Sequence, residues 1–439
     1  MKKGVVALLI LLAIVVLVSP AIVGRMAEQS MSENLEWAAN QSGEVSVTSE
    51  SFARGWFSSE GQHRIEIQDG DLLLAMESLL GPLAVDELPV LVVDTKLDHG
   101  LIPVSSMSRE RGSLAPGLGS AVSRMSVELA DGKVIKVPGT IYSDVGLAGE
   151  LRSTYELESG SFEDGTTAAT WSATNINIQT DPRTGEATMD GNVGSFSVGG
   201  TEETVSLEQL TFEGRQQPTK HGLMVGELAV EMTGLSVAAG GINSGSVETM
   251  SINARSELDG DDFNAVAAMS SVVRSVPEIG EVELDVVFNM AGADAAALGR
   301  VQQALESAGA NPDPMSAFGQ MERDVQELFA SGFTFNFERL NITLPSGTIA
   351  ASMLFEFAEE DPATFDWSTL LLSTNASIDL SIADPVVQIL VQTEPNMAMA
   401  IGGGYLVKRG DVYELEARLK KGLLTVNGAP IPIPLGQVR

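Results

Sequence analysis

Apolar and polar residues alternate in short runs along most of this chain, and this alternation limits the available folds more than any other feature. Residues 205–214 (VSLEQLTFEG), 228–241 and 337–347 each carry apolar side chains at about every second position and end in glycine. A period of two places these side chains on one face of a β-strand. The runs are too irregular for a solenoid of fixed period. The sequence therefore predicts a mainly β protein of the α+β class, built on a large antiparallel meander-type sheet.

Two glycine-containing turns predict hairpins within this meander. Residues 125–137 (MSVELADGKVIKV) are typical of two short strands around Asp131–Gly132, a pair that tolerates the positive φ of a tight turn. A second turn is predicted at Pro182–Gly185.

Helices are predicted to interrupt the meander late in the chain. Residues 261–276 (DDFNAVAAMSSVVRSV) carry apolar residues three or four positions apart, the spacing of one helix face. Residues 294–331 predict two joined helices, and Asp313–Pro314 provides an N-cap and a first-turn proline for the second. Asp384–Pro385 repeats that signal at the start of 384–394. We expect these helices to pack on the sheet and not to bind a cofactor.

The N-terminus carries an uncharged apolar run, Gly4–Gly24, directly after Lys2 and Lys3. As a helix it would span about 31 Å, the thickness of a bilayer core. The sequence therefore predicts a transmembrane signal anchor within residues 1–24, with both lysines in the cytoplasm. A stalk over 25–43 and a β-rich domain over 44–439 would follow on the outer side. A signal peptide cleaved near Ala21 stays an alternative, and either reading exports most of the chain.

Charge and cysteine content restrict the partners and the chemistry. The 26 Lys and Arg against 59 Asp and Glu give a net charge of −33, which repels nucleic acid and anionic lipid headgroups. The predicted contact with a lipid bilayer is therefore confined to residues 4–24. The chain has no cysteine, so disulfides and thiol chemistry are excluded. The sequence leaves open whether the chain forms a homo-oligomer.

Several common catalytic patterns are absent from the sequence. The three histidines, His63, His99 and His221, are scattered, and no H-E-x-x-H zinc motif occurs. No serine stands in G-x-S-x-G, and the glycines of 401–406 (IGGGYL) do not have the spacing of a nucleotide-binding loop. The sequence predicts no catalytic residue, no metal and no cofactor.

Two unusual stretches remain, SFARGWFSSEG at 51–61 and LDHGLIPV at 97–104. Gly55 allows a backbone geometry closed to other residues, so we expect it at a corner with positive φ between two strands. Asp98 could orient the ring of His99. A structural corner is the favoured interpretation of that pair, and a hydrolytic dyad is the alternative.

These stretches, the N-terminal apolar run and GLLTVNGAPIPI at 422–433 together resemble the YdgA-like family of bacterial envelope proteins. The resemblance covers residues 1 to about 435 and implies a single-pass inner-membrane protein with a periplasmic domain and no established activity. The matching positions are Arg54, Gly55, Phe57, Ser58 and Ser59 in the first motif, Asp98, His99, Gly100 and Pro103 in the second, and Asn427 and Gly428 in the third.

Three functions are compatible with these features. The leading hypothesis is a non-catalytic, membrane-anchored periplasmic protein that binds or supports envelope components, with an envelope protein or a lipid as its partner. The second is a carrier of apolar ligands, such as lipid, in a sheet-lined groove, and we expect such a groove to require apolar residues on both faces of the sheet. The third is a hydrolase that uses Asp98 and His99.

Overall fold

The computed structural model of the chain describes residues 45–55, 58–67, 90–99, 117–128, 132, 134–164, 167–200, 203–239, 242–276, 280–309, 314–363, 365 and 367–432. It is mainly β, as the alternation predicted. The chain forms two compact units. The first comprises Met1–Gly160 and Ser172–Val193, and the second Ser161–Trp171 and Gly194–Arg439.

The predicted anchor and stalk, residues 1–24 and 25–43, lie outside the described residues. Within the part of the chain that the structure describes, no helix has the length and apolar character needed to cross a membrane.

The strands are, in chain order, β1 (Val45–Arg54), β2 (Ser58–Ile67), β3 (Val90–His99), β4 (Gly119–Glu128), β5 (Val134–Val145), β6 (Leu151–Leu157), β7 (Gly160–Asp164), β8 (Thr167–Trp171), β9 (Thr174–Asp181), β10 (Glu186–Val193), β11 (Phe196–Gly199), β12 (Glu203–Leu207), β13 (Gln209–Pro218), β14 (Met224–Ala239), β15 (Ile242–Asp259), β16 (Asp262–Val276), β17 (Gly280–Asp294), β18 (Phe333–Leu344), β19 (Gly347–Phe357), β20 (Thr374–Ala383), β21 (Val407–Arg409), β22 (Val412–Lys420), β23 (Leu423–Val426) and β24 (Ala429–Ile431). The helices are α1 (Ala295–Gly309), α2 (Pro314–Ala330), α3 (Trp367–Ser373), α4 (Asp384–Thr393) and α5 (Pro395–Gly402).

The first unit is an antiparallel sheet in the order β1-β2-β3-β4-β5-β6-β9-β10. Both predicted hairpins are present. Glu128 pairs with Val134 across the first turn, where Gly132 has a φ of 80°. Gly185, with a φ of 68°, lies in the turn that joins β9 to β10. Glycine is required at both positions because their φ values lie in the left-handed region.

The second unit is a longer antiparallel sheet in which β13 to β20 follow one another and β22 pairs with β20. Its strand register aligns side chains of one kind across nine strands. One row of cross-strand neighbours is entirely apolar, and all its members are half-buried: Phe212, Val230, Ile252, Met269, Val286, Leu340, Ala351, Leu380 and Leu415. We call the side of the sheet that carries this row the apolar face.

The opposite side of the same sheet, the polar face, shows the reverse pattern. Shifting by one residue in each strand gives a row with one apolar member: Thr211, Glu231, Ser251, Ser270, Asp285, Asn341, Ala350, Ser381 and Glu414. Hydroxyl groups on this face bond across strands, as Ser251 and Ser270 do at 2.8 Å. Successive side chains of a strand point to opposite sides, so the period-two pattern of the sequence becomes an amphipathic sheet.

Helices pack on two margins of the apolar face. On one margin Phe329 of α2 contacts Phe333 and Phe357, with ring centroids 5.5 and 4.8 Å away. At the opposite ends of the strands, Val386 and Val387 of α4 are buried in a cluster with Ile382, Leu406 and Tyr413. The predicted helices over 294–331 and 384–394 correspond to α1, α2 and α4.

The helix predicted over 261–276 is wrong, because this segment is strand β16. It pairs with β15 on one side and β17 on the other along nearly its whole length. Phe263, Met269 and Val273 of the predicted helical stripe also occupy alternate positions of a strand, whereas Val266, the fourth residue of that stripe, lies on the other face of the sheet and is 41% exposed. Two long neighbouring strands supply hydrogen-bond partners on both edges, and this tertiary context decides between the two patterns.

Candidate functional site

The structure brings the first two sequence motifs together in the first unit. Among the described motif residues, Gly55 follows β1, Ser58 and Ser59 begin β2, and Asp98 and His99 end β3. In the β2–β3 ladder Ser58 lies opposite Asp98, and Ser59 lies opposite Leu97. Residues about forty positions apart in the chain are therefore direct neighbours in the sheet.

Gly55 forms the turn between β1 and β2, as expected, but not by the expected geometry. Its N–H donates to the carbonyl of Ser58 at 2.7 Å, and its φ lies outside the left-handed region. A Cβ atom at this position would lie 2.7 Å from the Ser58 oxygen, closer than real Cβ contacts. Glycine is therefore needed for a close backbone approach, and the positive φ expected from sequence is corrected.

Ser59 and His99 form a buried polar pair. Ser59 Oγ lies 3.1 Å from His99 Nε2, and each residue is only 1% exposed. In the tautomer that leaves Nε2 unprotonated, the hydroxyl donates this hydrogen bond. The contact resembles the start of a nucleophile–base pair, but both groups are enclosed in the fold.

Asp98 does not share the side of the sheet occupied by His99. Asp98 lies between Ser58 and Ser120 in the ladder, whereas His99 lies opposite Gly119. Neighbouring residues of a strand point to opposite faces, so the Asp98 carboxylate and the His99 ring diverge. The expected orientation of His99 by Asp98 is therefore replaced by the hydrogen bond to Ser59.

Further polar groups are buried on the side that carries Ser59 and His99. Thr95 and Ser123, opposite one another in β3 and β4, bond at 2.7 Å. His63 is 3% exposed, and neither ring nitrogen has a hydrogen-bond partner among the described residues. Burial lowers the pKa of His63 below its ordinary value, so its neutral form is favoured. We call Ser59, His63, Thr95, His99 and Ser123 the polar cluster.

Several motif positions cannot be placed in this geometry. Phe57, Gly100 and Pro103 lie outside the described residues, as does the side chain of Arg54. Around the described positions no group of three or more His, Asp or Glu side chains could hold a metal ion.

The third motif belongs to the second unit and has a structural role. Asn427 and Gly428, with φ values of 49° and 78°, make the two-residue turn between β23 and β24. The Asn427 amide donates to the carbonyls of Gly404 and Tyr405, both at 3.0 Å, and its Oδ1 accepts from the backbone N–H of Glu416 at 2.9 Å. One side chain thus joins three backbone segments.

A cleft of about 630 Å³ opens on the second unit, lined largely by side chains of the polar face. Two of its arginines are already paired with acidic groups, Arg339 with Asp285 at 2.8 Å and Arg409 with Glu414 at 3.2 Å. The charges are therefore largely compensated within the sheet, which makes the cleft a weak candidate for a charged ligand.

The apolar face is the more informative candidate, and no short motif pointed to it. Phe288 lies 5.0 Å from Phe335 and 5.5 Å from Phe337 between ring centroids, so aromatic rings cluster near its centre. Half-buried apolar residues continue to either side of these rings. At a strand spacing of about 4.8 Å, nine strands extend this surface over roughly 38 Å. Large exposed apolar surfaces commonly mark binding sites.

Comparison with known proteins identifies a matching family. The sequence model of a family described as a bacterial protein of unknown function, DUF945, matches residues 1–434. No curated protein and no solved structure matches the chain.

The close approach at Gly55 predicts that Gly55→Ala destabilises the first unit by more than about 1 kcal/mol, because the added carbon forces the turn apart. Chemical denaturation of both proteins measures this difference. Gly245→Ala is the matched control, because a Cβ there meets nothing within 4 Å. Equal effects of the two substitutions would contradict the steric explanation.

The Ser59–His99 bond predicts that Ser59→Ala costs about 1–3 kcal/mol of unfolding free energy, because a buried hydrogen bond is lost. Ser58→Ala, on the other side of the same strand, should be milder. His99→Gln keeps a polar amide and should retain more stability than His99→Ala. Denaturation is measured beside complementation of a deletion strain. Folded variants at both positions that fail to complement would instead indicate a chemical role.

The burial of His63 predicts a loss of stability in acid. Since its pKa is lower in the folded state, the unfolded chain binds more protons as the pH falls below about 6.5. The stabilisation is therefore present above that pH and is lost as the pH falls through the folded-state pKa. His63→Leu should reduce the difference in unfolding free energy between about pH 7.5 and about pH 5. An unchanged difference would assign the acid sensitivity to other groups.

Proposed function

This chain belongs to the DUF945 family of bacterial proteins of unknown function, and we propose that it is a non-catalytic, membrane-anchored envelope protein that binds lipid acyl chains on the apolar face of its second unit. The observation that carries this proposal is the row of nine half-buried apolar side chains across nine strands.

Burial energetics support a ligand on this surface. Each Å² of apolar area removed from water contributes about 25 cal/mol, so a face of half-buried Phe, Leu, Ile, Val and Met side chains retains a substantial driving force for further burial. The row presents only carbon and sulfur atoms from its side chains. An acyl chain needs no hydrogen bonds, and it can therefore cover this surface without leaving a polar group unsatisfied.

The shape of the site favours a chain-like ligand over a flat protein partner. Helices α2 and α4 pack on the two margins of the face, where Phe329 and Val387 contact it. A helix is about 10 Å across, so the half-buried band around Phe337 and Ile378 lies between two raised walls. Half of a bilayer core is about 15 Å thick, so a face of roughly 38 Å is longer than one lipid acyl chain.

Flexible side chains allow this surface to accept ligands of different shape. Met269 and Met353 lie on the apolar face beside the aromatic cluster. The thioether side chain of methionine adapts to ligands of different shape. We therefore expect the site to bind apolar chains as a class and not to select one particular lipid.

The N-terminal sequence and the motifs that resemble those of the YdgA-like proteins support a proposed location. We propose that Gly4–Gly24 anchors the chain in the bacterial inner membrane, with the remainder in the periplasm. The anchor would then hold a site for acyl chains close to a source of lipid. The net charge of −33 keeps the rest of the surface repelled from anionic headgroups.

A hydrolytic function is not what the geometry favours. Ser59 and His99 are each 1% exposed, and the Asp98 side chain lies on the other side of the sheet. A reacting ester would need access to Ser59 Oγ, and the pair is closed off in the structure. We propose no catalytic residue.

The proposed function predicts that a charge on the apolar face abolishes acyl-chain binding. Ile378→Glu places a carboxylate in the middle of the half-buried band, where desolvation by an acyl chain is costly. Ser377→Glu is the matched control, because the adjacent residue of β20 points to the polar face and lies opposite Arg418. Binding of a fluorescent fatty acid and mass spectrometry of co-purified lipid measure the effect.

We expect wild type and Ser377→Glu to bind the probe and to retain lipid, and Ile378→Glu to lose both. Circular dichroism establishes that the variants are folded. Equal binding by the two variants, or the absence of binding in wild type, would contradict the assignment of the apolar face.

A further inference from the structure

The cleft on the polar face of the second unit has the form of a trough. Small side chains form its floor on the two central strands, namely Ala350 and Ser352 of β19 and Ser381 of β20. Long side chains extend from the flanking strands, among them Arg339 of β18 on one side and Glu414 of β22 on the other. Three strand spacings of about 4.8 Å separate β18 from β22, so the trough is roughly 14 Å wide between the backbones.

The size and the lining of this trough suit a small polar molecule. Its volume of about 630 Å³ lies within the range of roughly 300–1,000 Å³ that is typical of ligand sites. Asn341, Ser352 and Ser381 are half-buried in the lining and contribute uncharged donors and acceptors. Val287 and Ala350 add small apolar patches to the same side of the sheet.

The charged groups of the trough are paired with one another. Besides the pairs of Arg339 and Arg409 described above, Arg418 lies 2.7 Å from Asp379 and 3.4 Å from Glu416. Groups of opposite sign therefore alternate within a few Å along the walls. A ligand with a net charge would be attracted by one member of each pair and repelled by the other, so it would gain little electrostatic energy.

Ion pairing leaves much of the hydrogen-bonding capacity of these groups unused. A carboxylate can accept at about four lone-pair positions, and a guanidinium group carries five N–H donors. A hydroxyl group both donates and accepts, so it can bind beside either member of a pair. Hydrogen bonds to ionised partners are also stronger than those between neutral groups. The trough therefore favours a ligand that is uncharged and rich in hydroxyl groups.

We propose that this trough binds a neutral oligosaccharide. Sugar hydroxyl groups donate to the carboxylates of Asp379 and Glu414 and accept from the guanidinium groups of Arg339 and Arg409, and the C–H groups of the sugar rings lie on the small side chains of the floor. The site is on the opposite side of the sheet from the apolar face. The proposal is therefore independent of the proposed binding of acyl chains.

Calorimetric titration of the full chain, in a detergent without a sugar headgroup, tests the ligand class. The probes are two neutral tetrasaccharides, maltotetraose and chitotetraose, and the acidic tetragalacturonate. At least one neutral probe should bind, with little change at high salt, because the ligand carries no charge. Tetragalacturonate should bind at least tenfold more weakly than that probe. Binding of neither neutral probe, or preference for the acidic one, would overturn the proposal.

A substitution that fills the trough tests its position. Ser352→Phe places a ring on the floor and should weaken binding of the neutral probe at least tenfold. Ser270→Phe is the matched control, because Ser270 is a serine on the polar face of β16 outside the lining of the cleft. Circular dichroism establishes that both variants are folded. Equal affinities of these two variants would overturn the assignment of the trough.

A second variant tests the site without adding volume. Asp379→Ala, at an exposed position, removes one proposed acceptor, while Arg418 keeps Glu416 as a partner. Loss of one hydrogen bond to a charged group should weaken binding of the neutral probe roughly tenfold. An unchanged affinity in this variant would overturn the proposed role of the ion-paired carboxylates, even if Ser352→Phe failed to fold.

Discussion

The cross-strand register of β13 to β22 is the constraint on which the second unit depends. A slip of one residue would exchange the two faces, because the side-chain period of a strand is two. In β18 the apolar positions change phase, from Phe333, Phe335 and Phe337 to Leu340 and Ile342. A bulge at Glu338 and Arg339 absorbs this change, so that Phe337 lies opposite Met353 while Leu340 lies opposite Ala351. The two bulged residues are exposed, and the apolar face stays continuous on both sides of them.

Local chemistry was sufficient to predict much of the fold. Strands follow the alternation, the turn at Gly185 follows its positive φ, and α2 begins at Pro314 as its cap predicted. The segment 261–276 shows where local chemistry fails. Phe263, Met269 and Val273 satisfy both a helical and a strand period, whereas Val266 satisfies only the helical one, and the hydrogen-bonding edges of β15 and β17 decide between the two.

The site was less predictable, because it depends on contacts between distant residues. Sequence placed Asp98 beside His99, but the pleat of β3 turns them to opposite sides and brings Ser59 to His99 instead. The apolar face was not predicted from the sequence, for a different reason. The sequence argument looked for apolar residues on both faces of a groove-forming sheet, whereas the proposed site uses one face and the other carries Glu231, Asp285 and Glu414.

The first unit buries polar side chains, whereas the second leaves a face of apolar side chains only half-buried. This difference explains where short motifs occur in the sequence. In the first unit the polar cluster is buried, and a buried set of hydroxyls and imidazoles requires defined partners and therefore particular residues at particular positions. Such a requirement leaves a short, recognisable signature around Ser59 and His99. In the second unit the apolar face requires only apolar character at alternate positions, which many residues satisfy. The first two motifs of the sequence therefore describe how the first unit folds, and the surface proposed to bind lipid carries no short motif because acyl chains demand none.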